Sequence, residues 1–396
     1  MRKPTKNKSG HIEEAPKLKS TDPVVLELWV KSGGRCAFHG CNRYLLQDEL
    51  TTNKAKLANI AHIVARRING PRGKDPLPIE KRNEIDNLIL LCTKCHTLID
   101  KKEFQDIYSK EILLKYKKEH ENRIRYITGL DSDSETVIIR MFNNIRGDSV
   151  TISNEEIRIA VLKGSERYPR YLGGENNIEI NLTGLPQKIS KTYWDAGKGK
   201  IDEIVGRLIN PAIDKKEIKH LSVFAISRIP LLIYLGYKIG DKVPIDNYQK
   251  HRDGDEGWAW RDDSQTVTFK SSTIQQGSDN LKIAIILSVS GKISIDQLPS
   301  EITCAFTIAE ISPENAPPNR NLLKNKCTLQ SFRDVYEGLL RQIEKDYKKV
   351  KNIHIFPAIP APVAIVCGRE LLKEVSPSLL IYDRIDDEYK FTIGMN

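Results

Sequence analysis

Long apolar runs are missing from this 396-residue chain. A membrane-spanning helix needs ~18 consecutive apolar residues, and the richest stretch, Ile229 to Tyr237, falls far short of that. The first 20 residues are Lys-rich and lack the apolar region of ~7–15 residues that marks a secretory leader. Cysteine is sparse for a disulfide-built scaffold, with seven in the whole chain. Membrane, secreted and disulfide-held classes are thereby set aside, and a cytoplasmic protein is expected. Its length leaves room for two or three domains of ~150 residues.

Any excess of charge is also missing after residue 127. Residues 1–127 hold 26 Lys and Arg against 16 Asp and Glu, whereas the remainder is balanced, so the whole net charge of +10 sits in the first third. A basic domain joined to a neutral one suggests that the first part meets a polyanion and the second does something else.

Four of the cysteines lie in that basic third as two pairs, Cys36-x4-Cys41 and Cys92-x2-Cys95. Cytosolic thiols stay reduced, so close pairs more often hold metal than form disulfides. Together they can supply an all-thiolate tetrahedral zinc site, with His39 inside the first gap as a substitute ligand. Cys304, Cys327 and Cys367 are scattered and are expected in cores.

Between and after the pairs lie residues suited to hydrolysis. Leu57-Ala-Asn-Ile-Ala-His62-Ile-Val predicts a short strand ending in an exposed imidazole; a polar loop with Gly70-Pro-Arg-Gly73 follows, and Asp86-Asn87-Leu-Ile-Leu-Leu-Cys92 predicts a second strand. Cys95-His96-Thr-Leu-Ile-Asp100 opens a helix expected to continue through Tyr108 to Tyr126. On a helix, His96 and Asp100 stand at i and i+4 and share a face, as a two-ligand metal site requires. His62 is then free to act as general base on a water, its pKa lying near working pH. Asn87 is expected to hydrogen-bond backbone and fix the loop presenting His62. Arg66, Arg67, Arg72 and Lys74 follow the base and are candidate contacts for a DNA backbone.

Strand, strand, helix with His, Asn and His in that order is the ββα-metal arrangement, and residues 33–127 resemble the HNH endonuclease family. That resemblance implies His62 as base, Asn87 as orienting residue, and His96 with Asp100 as ligands of a catalytic divalent ion such as Mg²⁺. Many members carry an acidic residue or His directly before the base; here it is Ala61. Asn59, two residues earlier, is the candidate to complete the metal's shell.

Residues 128–154 are expected to form a connector containing a strand at Val137 to Phe142. The second half carries an internal repeat: His220-Leu-Ser-Val-Phe224 precedes Pro230 and Gly236, and Asn352-Ile-His-Ile-Phe356 precedes Pro362 and Gly368. Both copies read Phe-x5-Pro-x5-Gly at an offset of 132 residues. A buried strand, a tight loop and an apolar helix fit each. A helix with Leu329, Phe332, Val335, Leu339 and Ile343 on one face leads into the second copy, and Asp202 to Ile209 can play that part before the first. Such units build doubly wound parallel sheets that bind ligands beyond the carboxyl ends of their strands. The loops Ala225 to Ile229 and Pro357 to Ala361 should therefore border one crevice. Aromatic and Arg planes stack on bases and Arg forks match phosphates. On the repeat and the nearby aromatics, the candidate ligand contacts are Ser227, Arg228, Arg252, Trp258, Trp260, Ala358, Pro360, Arg369 and Tyr382.

Pro230-Leu-Leu-Ile-Tyr-Leu-Gly236, Trp258-Ala-Trp260 and Phe356-Pro-Ala-Ile-Pro-Ala-Pro362 with Gly368 give residues 155–396 a resemblance to the SAVED domain, a fusion of two Rossmann-like sensor units. The expected fold class is α/β, an α+β nuclease with a zinc site (1–127) followed by an α/β sensor (155–396). HNH followed by SAVED is similar to the effector nucleases of bacterial cyclic-oligonucleotide anti-phage signalling systems (CBASS). The resemblance implies a cyclic di- or trinucleotide activator, self-assembly to tetramers, and degradation of double-stranded DNA. Two other readings compete: an ungated restriction or mobile-element nuclease, and a non-catalytic, zinc-stabilised DNA-binding regulator. The neutral second half disfavours the first of these, since DNA readers are usually basic.

Overall fold

The computed structural model describes residues 5–6, 12–47, 57–144, 152–170, 178–253, 257–261, 263–371 and 376–395. It divides into two compact units, Met1–Asp131 and Ser132–Asn396. Among the described residues no helix is long and apolar enough to cross a membrane.

In unit 1 a short antiparallel pair, β1 (Thr5–Lys6) and β2 (Ile12–Glu14), precedes α1 (Pro23–Lys31). Pro23 suits the first turn of α1 because its missing N–H would be unpaired there anyway. The hairpin that follows, β3 (Ala58–His62) against β4 (Leu88–Cys92), pairs His62 with Leu88 and Ala58 with Cys92. Every residue of β4 is buried, as its unbroken Leu-Ile-Leu-Leu run implies. Leu28, Leu45, Ile63, Ile99 and Leu113 close the core around it. The single helix expected from Cys95 to Tyr126 is instead two. α2 (Thr93–Asp100) stops where Lys101 turns extended, and α3 (Lys110–Thr128) restarts under a Ser109 cap that accepts from the Ile112 amide. The intervening Ser109 satisfies an orphan helix donor, which makes a restart cheaper than continuation.

Unit 2 holds two sheets. The first has order β6-β5-β8-β9, with β7 also on β5, and all its pairings are parallel: β5 (Glu135–Phe142), β6 (Tyr168–Arg170), β7 (Ile178–Asn181), β8 (Leu221–Ile226) and β9 (Ile245–Tyr248). The strand expected at Val137 to Phe142 lies inside this sheet, so the connector packs on the second half as expected; residues 145–151 lie outside the described ones. Around the sheet lie α4 (Asn154–Ser165), α5 (Lys191–Ile204), a π turn at Val205–Ile209, α6 (Asn210–Asp214) and α7 (Ile229–Ile239). The second sheet has order β10-β12-β11-β13-β14-β15, formed by β10 (Phe269–Gln275), β11 (Ile283–Ser288), β12 (Thr307–Pro313), β13 (Asn352–Ala358), β14 (Ser378–Ile385) and β15 (Glu388–Met395). Its four inner strands run parallel and its two edges antiparallel. α8 (Lys326–Asp346) precedes β13, and α9 (Ala361–Arg369) follows it.

The repeat has a physical basis here. Phe224 and Phe356 sit in the buried strands β8 and β13, and Pro230 and Pro362 occupy the first turns of α7 and α9. The glycines let those two helices touch: a Cβ on Gly236 would lie 2.1 Å from the Ile365 carbonyl oxygen, and one on Gly368 would lie 1.8 Å from that of Ile233. Ile365 stands 132 residues after Ile233, so the contact is reciprocal under the repeat's own offset. Overpacking such a seam costs about 3 kcal/mol. Gly368→Ala is therefore expected to lower the Tm of unit 2 by about 6–12 °C. Gly338→Ala, in α8 with nothing within 4 Å of the added carbon, should instead hold or raise it. Equal Tm values for the two variants in a calorimetric scan would contradict this account.

Candidate functional site

The four sulfurs of Cys36, Cys41, Cys92 and Cys95 all lie within 4.8 Å of one another, and none is in a disulfide. A tight turn delivers the first pair: Gly40 at φ +76° and Asn42 at φ +48° reverse the chain, and the Cys36 amide donates to the Arg43 carbonyl at 2.9 Å. The second pair comes from the β4–α2 junction, where the Cys95 amide donates to Cys92 Sγ at 3.4 Å. Hydrogen bonds from the Cys95 thiol and from backbone amides hold the Cys36 thiol down to about 5, whereas the same contact pushes Cys95 up. Sulfurs at ~2.3 Å from a tetrahedral zinc stand about 3.8 Å apart, and Cys41 Sγ and Cys92 Sγ are separated by 3.9 Å. The residues fit the ion. His39, the substitute ligand, stands outside: its side chain is 71% exposed and stacks on Tyr116.

β3 and α2 bring the hydrolytic candidates together. His96 Nε2 and Asp100 Oδ2 are 3.5 Å apart on the same face of α2. His62 ends β3 close enough to both for their charges to act on it. Its ring is half-buried rather than exposed, and burial is the main cause of a pKa below the usual imidazole value, with the Arg66 and His96 charges pulling the same way. Asn87 is buried with its amide fully used. Its Nδ2 donates to the Val64 and Arg82 carbonyls at 2.9 and 2.8 Å, and its Oδ1 accepts from the Val64 amide at 2.8 Å. The backbone just past His62 is thereby pinned. Asn59 instead donates to Thr93 Oγ1 at 3.1 Å, at the head of α2.

Three of the four cations placed at the DNA backbone have internal partners. Arg72, with a side chain only 8% exposed, donates to the carbonyls of Ile63 and Ile99 at 2.6 and 2.8 Å and faces Asp100 at 3.5 Å. It stitches the loop to α2, which corrects its expected role. Arg66 donates to the Ala15 carbonyl and pairs with Glu14, and Arg67 pairs with the same carboxylate. Lys74 is exposed. The sequence gives no hint of two further residues here. Arg82 is buried, donating to the carbonyls of Ala65, Leu77 and Gly73, and Asn83 Oδ1 lies 2.9 Å from His62 Nε2. Both sit in the long β3–β4 connection, where two short 3-10 turns at Ile79–Lys81 and Ile85–Asn87 leave no extended periodicity to record proximity.

In unit 2 a cavity of about 350 Å³ opens at the carboxyl ends of β8 and β13, lined by Ala225, Ile226, Ser227 and Ile229 from one copy of the repeat and Pro360 and Ala361 from the other. The amino ends of α7 and α9 both border it, an arrangement that favours anions. Arg252 and Arg320 line it and are exposed, and the lining amide of Gln249 has an Oε1 with no hydrogen-bond partner among the described residues. Of the expected contacts, Ser227, Arg252 and Pro360 line it. Ala358 ends β13, its carbonyl accepting from Val289 and Ser290. Arg228 caps α7 and pairs with Asp383 at 2.7 Å. The other four expected contacts turn away. Trp258 is 2% exposed and packs edge-on against Phe224; Tyr382 is buried against Phe356. Trp260 lines a separate cavity, and Arg369 donates to the Gly240 and Val243 carbonyls. Trp258 and Tyr382 fill core space, whereas Trp260 and Arg369 both border that separate cavity. Ser290, Arg320 and Asn321 were not anticipated; they come from loops outside the repeat.

A family model for HNH endonucleases matches residues 36–105, and the model of the SMODS-associated and fused to various effectors sensor domain, SAVED, matches residues 201–395. No curated protein sequence matches the chain. Among solved structures, it is similar to the Acinetobacter baumannii Cap4 SAVED/CARF-domain containing receptor with the cyclic trinucleotide 3'3'3'-cAAA, at 15% identity and TM-score 0.42, over 74% of this chain and 61% of that one. The Moraxella osloensis Cap4 SAVED/CARF-domain containing receptor follows at 14% identity and TM-score 0.39, over 74% and 60%. The chain thus spans about 60% of the length of those receptors. The motif in one unit and the paired strand-and-helix repeat in the other thus coincide with a match to the HNH endonuclease family over residues 36–105 and a match to the SAVED sensor domain over residues 201–395.

Proposed function

We propose that the protein is a metal-dependent endonuclease for double-stranded DNA, switched on by a cyclic di- or trinucleotide and serving as a CBASS anti-phage effector. The nuclease domain spans residues 1–127 and the sensor residues 155–396, with the 128–154 connector supplying a strand to the sensor's first sheet. The observation that carries the first part is the convergence of His62, Asn87, His96 and Asp100 on one hairpin and helix, beside a four-sulfur site. His62 accepts the proton of the attacking water; its lowered pKa keeps it unprotonated at neutral pH. Asn87 holds the Ile63–Val64 backbone so that the ring does not drift. His96 Nε2 and Asp100 Oδ2 would hold a divalent ion, whose chemistry when bound is charge stabilisation at the phosphate and the leaving oxygen.

The crevice supports the sensor half of the proposal. Two helix amino ends, Arg252, Arg320 and an unpaired amide acceptor suit a ligand with repeated phosphates and base edges. Ligand can gate cleavage only through a difference in affinity between inactive and active arrangements, and assembly of protomers, expected as tetramers, offers one.

Plasmid incubated with full-length protein and Mg²⁺, with and without a panel of cyclic di- and trinucleotides, tests the proposal. Cutting that appears only with one panel member is the expected result. Cutting without any ligand supports an ungated nuclease instead, and DNA binding without cutting supports a regulator. If sedimentation is unchanged by a ligand that switches cleavage on, assembly is not the switch.

A further inference from the structure

We infer that Asn83 is a positioning residue for His62, aimed by the strap that runs in from β2, so that the base presents Nδ1 to the water. This rests on the assignment of His62 as the base.

Asn83 Oδ1 lies 2.9 Å from His62 Nε2, and Asn83 Nδ2 donates to the Pro16 carbonyl at 2.8 Å. A carbonyl oxygen only accepts, so the bond to Pro16 identifies which end of the amide carries hydrogen and turns Oδ1 toward the ring. Oδ1 likewise only accepts, so Nε2 must bear the ring proton. The lone pair is then left on Nδ1, the one nitrogen able to take a proton from water. A second partner fixing the tautomer and direction of a working imidazole is a recurring device. Here it is unusual in reaching 67 residues along the chain to Pro16. The strap itself is held in place. The Ala15 amide donates to the Arg66 carbonyl at 3.2 Å, Arg66 donates back to the Ala15 carbonyl, and Glu14 pairs with Arg66 and Arg67. Arg66 and Arg67, at the start of the β3–β4 loop, therefore act here by fastening the segment that aims Asn83. The charged or titratable groups acting on His62 are Arg66, His96 and Asp100.

Two variants and one spectroscopic measurement test this on the full chain. In ¹⁵N-histidine-labelled wild type, long-range proton–nitrogen spectra should report His62 as the Nε2–H tautomer; an Nδ1–H tautomer overturns the proposal, whether or not the protein cleaves DNA. Asn83→Leu removes the acceptor, and a mixture of tautomers with a 10- to 100-fold loss of kcat at unchanged KM for duplex DNA is expected. An unaltered kcat overturns the proposal. Asn83→Asp keeps an acceptor and adds a negative charge, so it should retain the tautomer and move the acid limb of the pH–rate profile upward. An unmoved acid limb in a folded Asn83→Asp protein also overturns it. If wild type shows the Nε2–H tautomer but cuts no DNA with Mg²⁺ and any panel nucleotide, the nuclease assignment fails while the geometric inference stands.

Discussion

His62→Ala is expected to lower the rate of DNA cleavage by about 10²–10⁴-fold, the usual contribution of a positioned general base, while leaving nucleotide binding by unit 2 unchanged. The separation follows from placement: His62 ends a strand of unit 1, and the crevice lies wholly within unit 2. The pH dependence carries the same signature. A base works in its unprotonated form, and burial lowers the His62 pKa from the usual imidazole value of 6.5. The acid limb of the activity should therefore be centred below pH 6.5. Single-turnover cleavage of linear duplex DNA across pH 5 to 8 reads both effects. A wild-type acid limb centred above 6.5, or full-rate cutting by His62→Ala, would remove His62 from the mechanism.

Stripping metal from the four-cysteine site should unfold unit 1. Structural zinc contributes roughly 10–16 kcal/mol in small domains, comparable to the ~5–15 kcal/mol that holds a whole domain together. The four sulfurs are part of the unit 1 core itself, with Cys36, Cys92 and Cys95 in one cluster with Leu28, Leu45, Leu88 to Leu91, Ile99 and Leu113. Elemental analysis should find one zinc per chain in the purified protein. Cys92→Ser, or wild type treated with a strong chelator, should lose the calorimetric transition of unit 1 and all nuclease activity, with the transition of unit 2 retained. Retention of the unit 1 transition in metal-free protein would show that the thiols are ordinary core residues.

The legible parts of this protein are those in which chemistry is written in spacing. Two cysteine pairs, a His and an Asp one helical turn apart, and a repeat with Phe, Pro and Gly at a constant offset each follow from a local geometric need. Asn87 was legible because a buried Asn before a strand has backbone to bind, and it binds Val64 and Arg82. The aromatic candidates misled for a related reason. A Trp or Tyr carries the same letter in a core as in a ligand pocket, and Trp258, Trp260 and Tyr382 are buried. Arg72 misled likewise: a cation in a basic loop looks available, yet at φ +55° it turns inward onto three carbonyls.

By itself, the order of residues determined the two-part plan, the two cysteine pairs that converge, the His–Asn–His–Asp set and the paired strand-and-helix units, because each depends on neighbours a few positions apart or on a repeat. Only the tertiary structure decided which side chains face a ligand and which fill a core, that Asn83 and Pro16 stand behind His62, and that Gly236 and Gly368 make one reciprocal seam. Those outcomes depend on contacts between residues tens to more than a hundred positions apart, where the packing of whole elements, rather than any local pattern, chooses the partner.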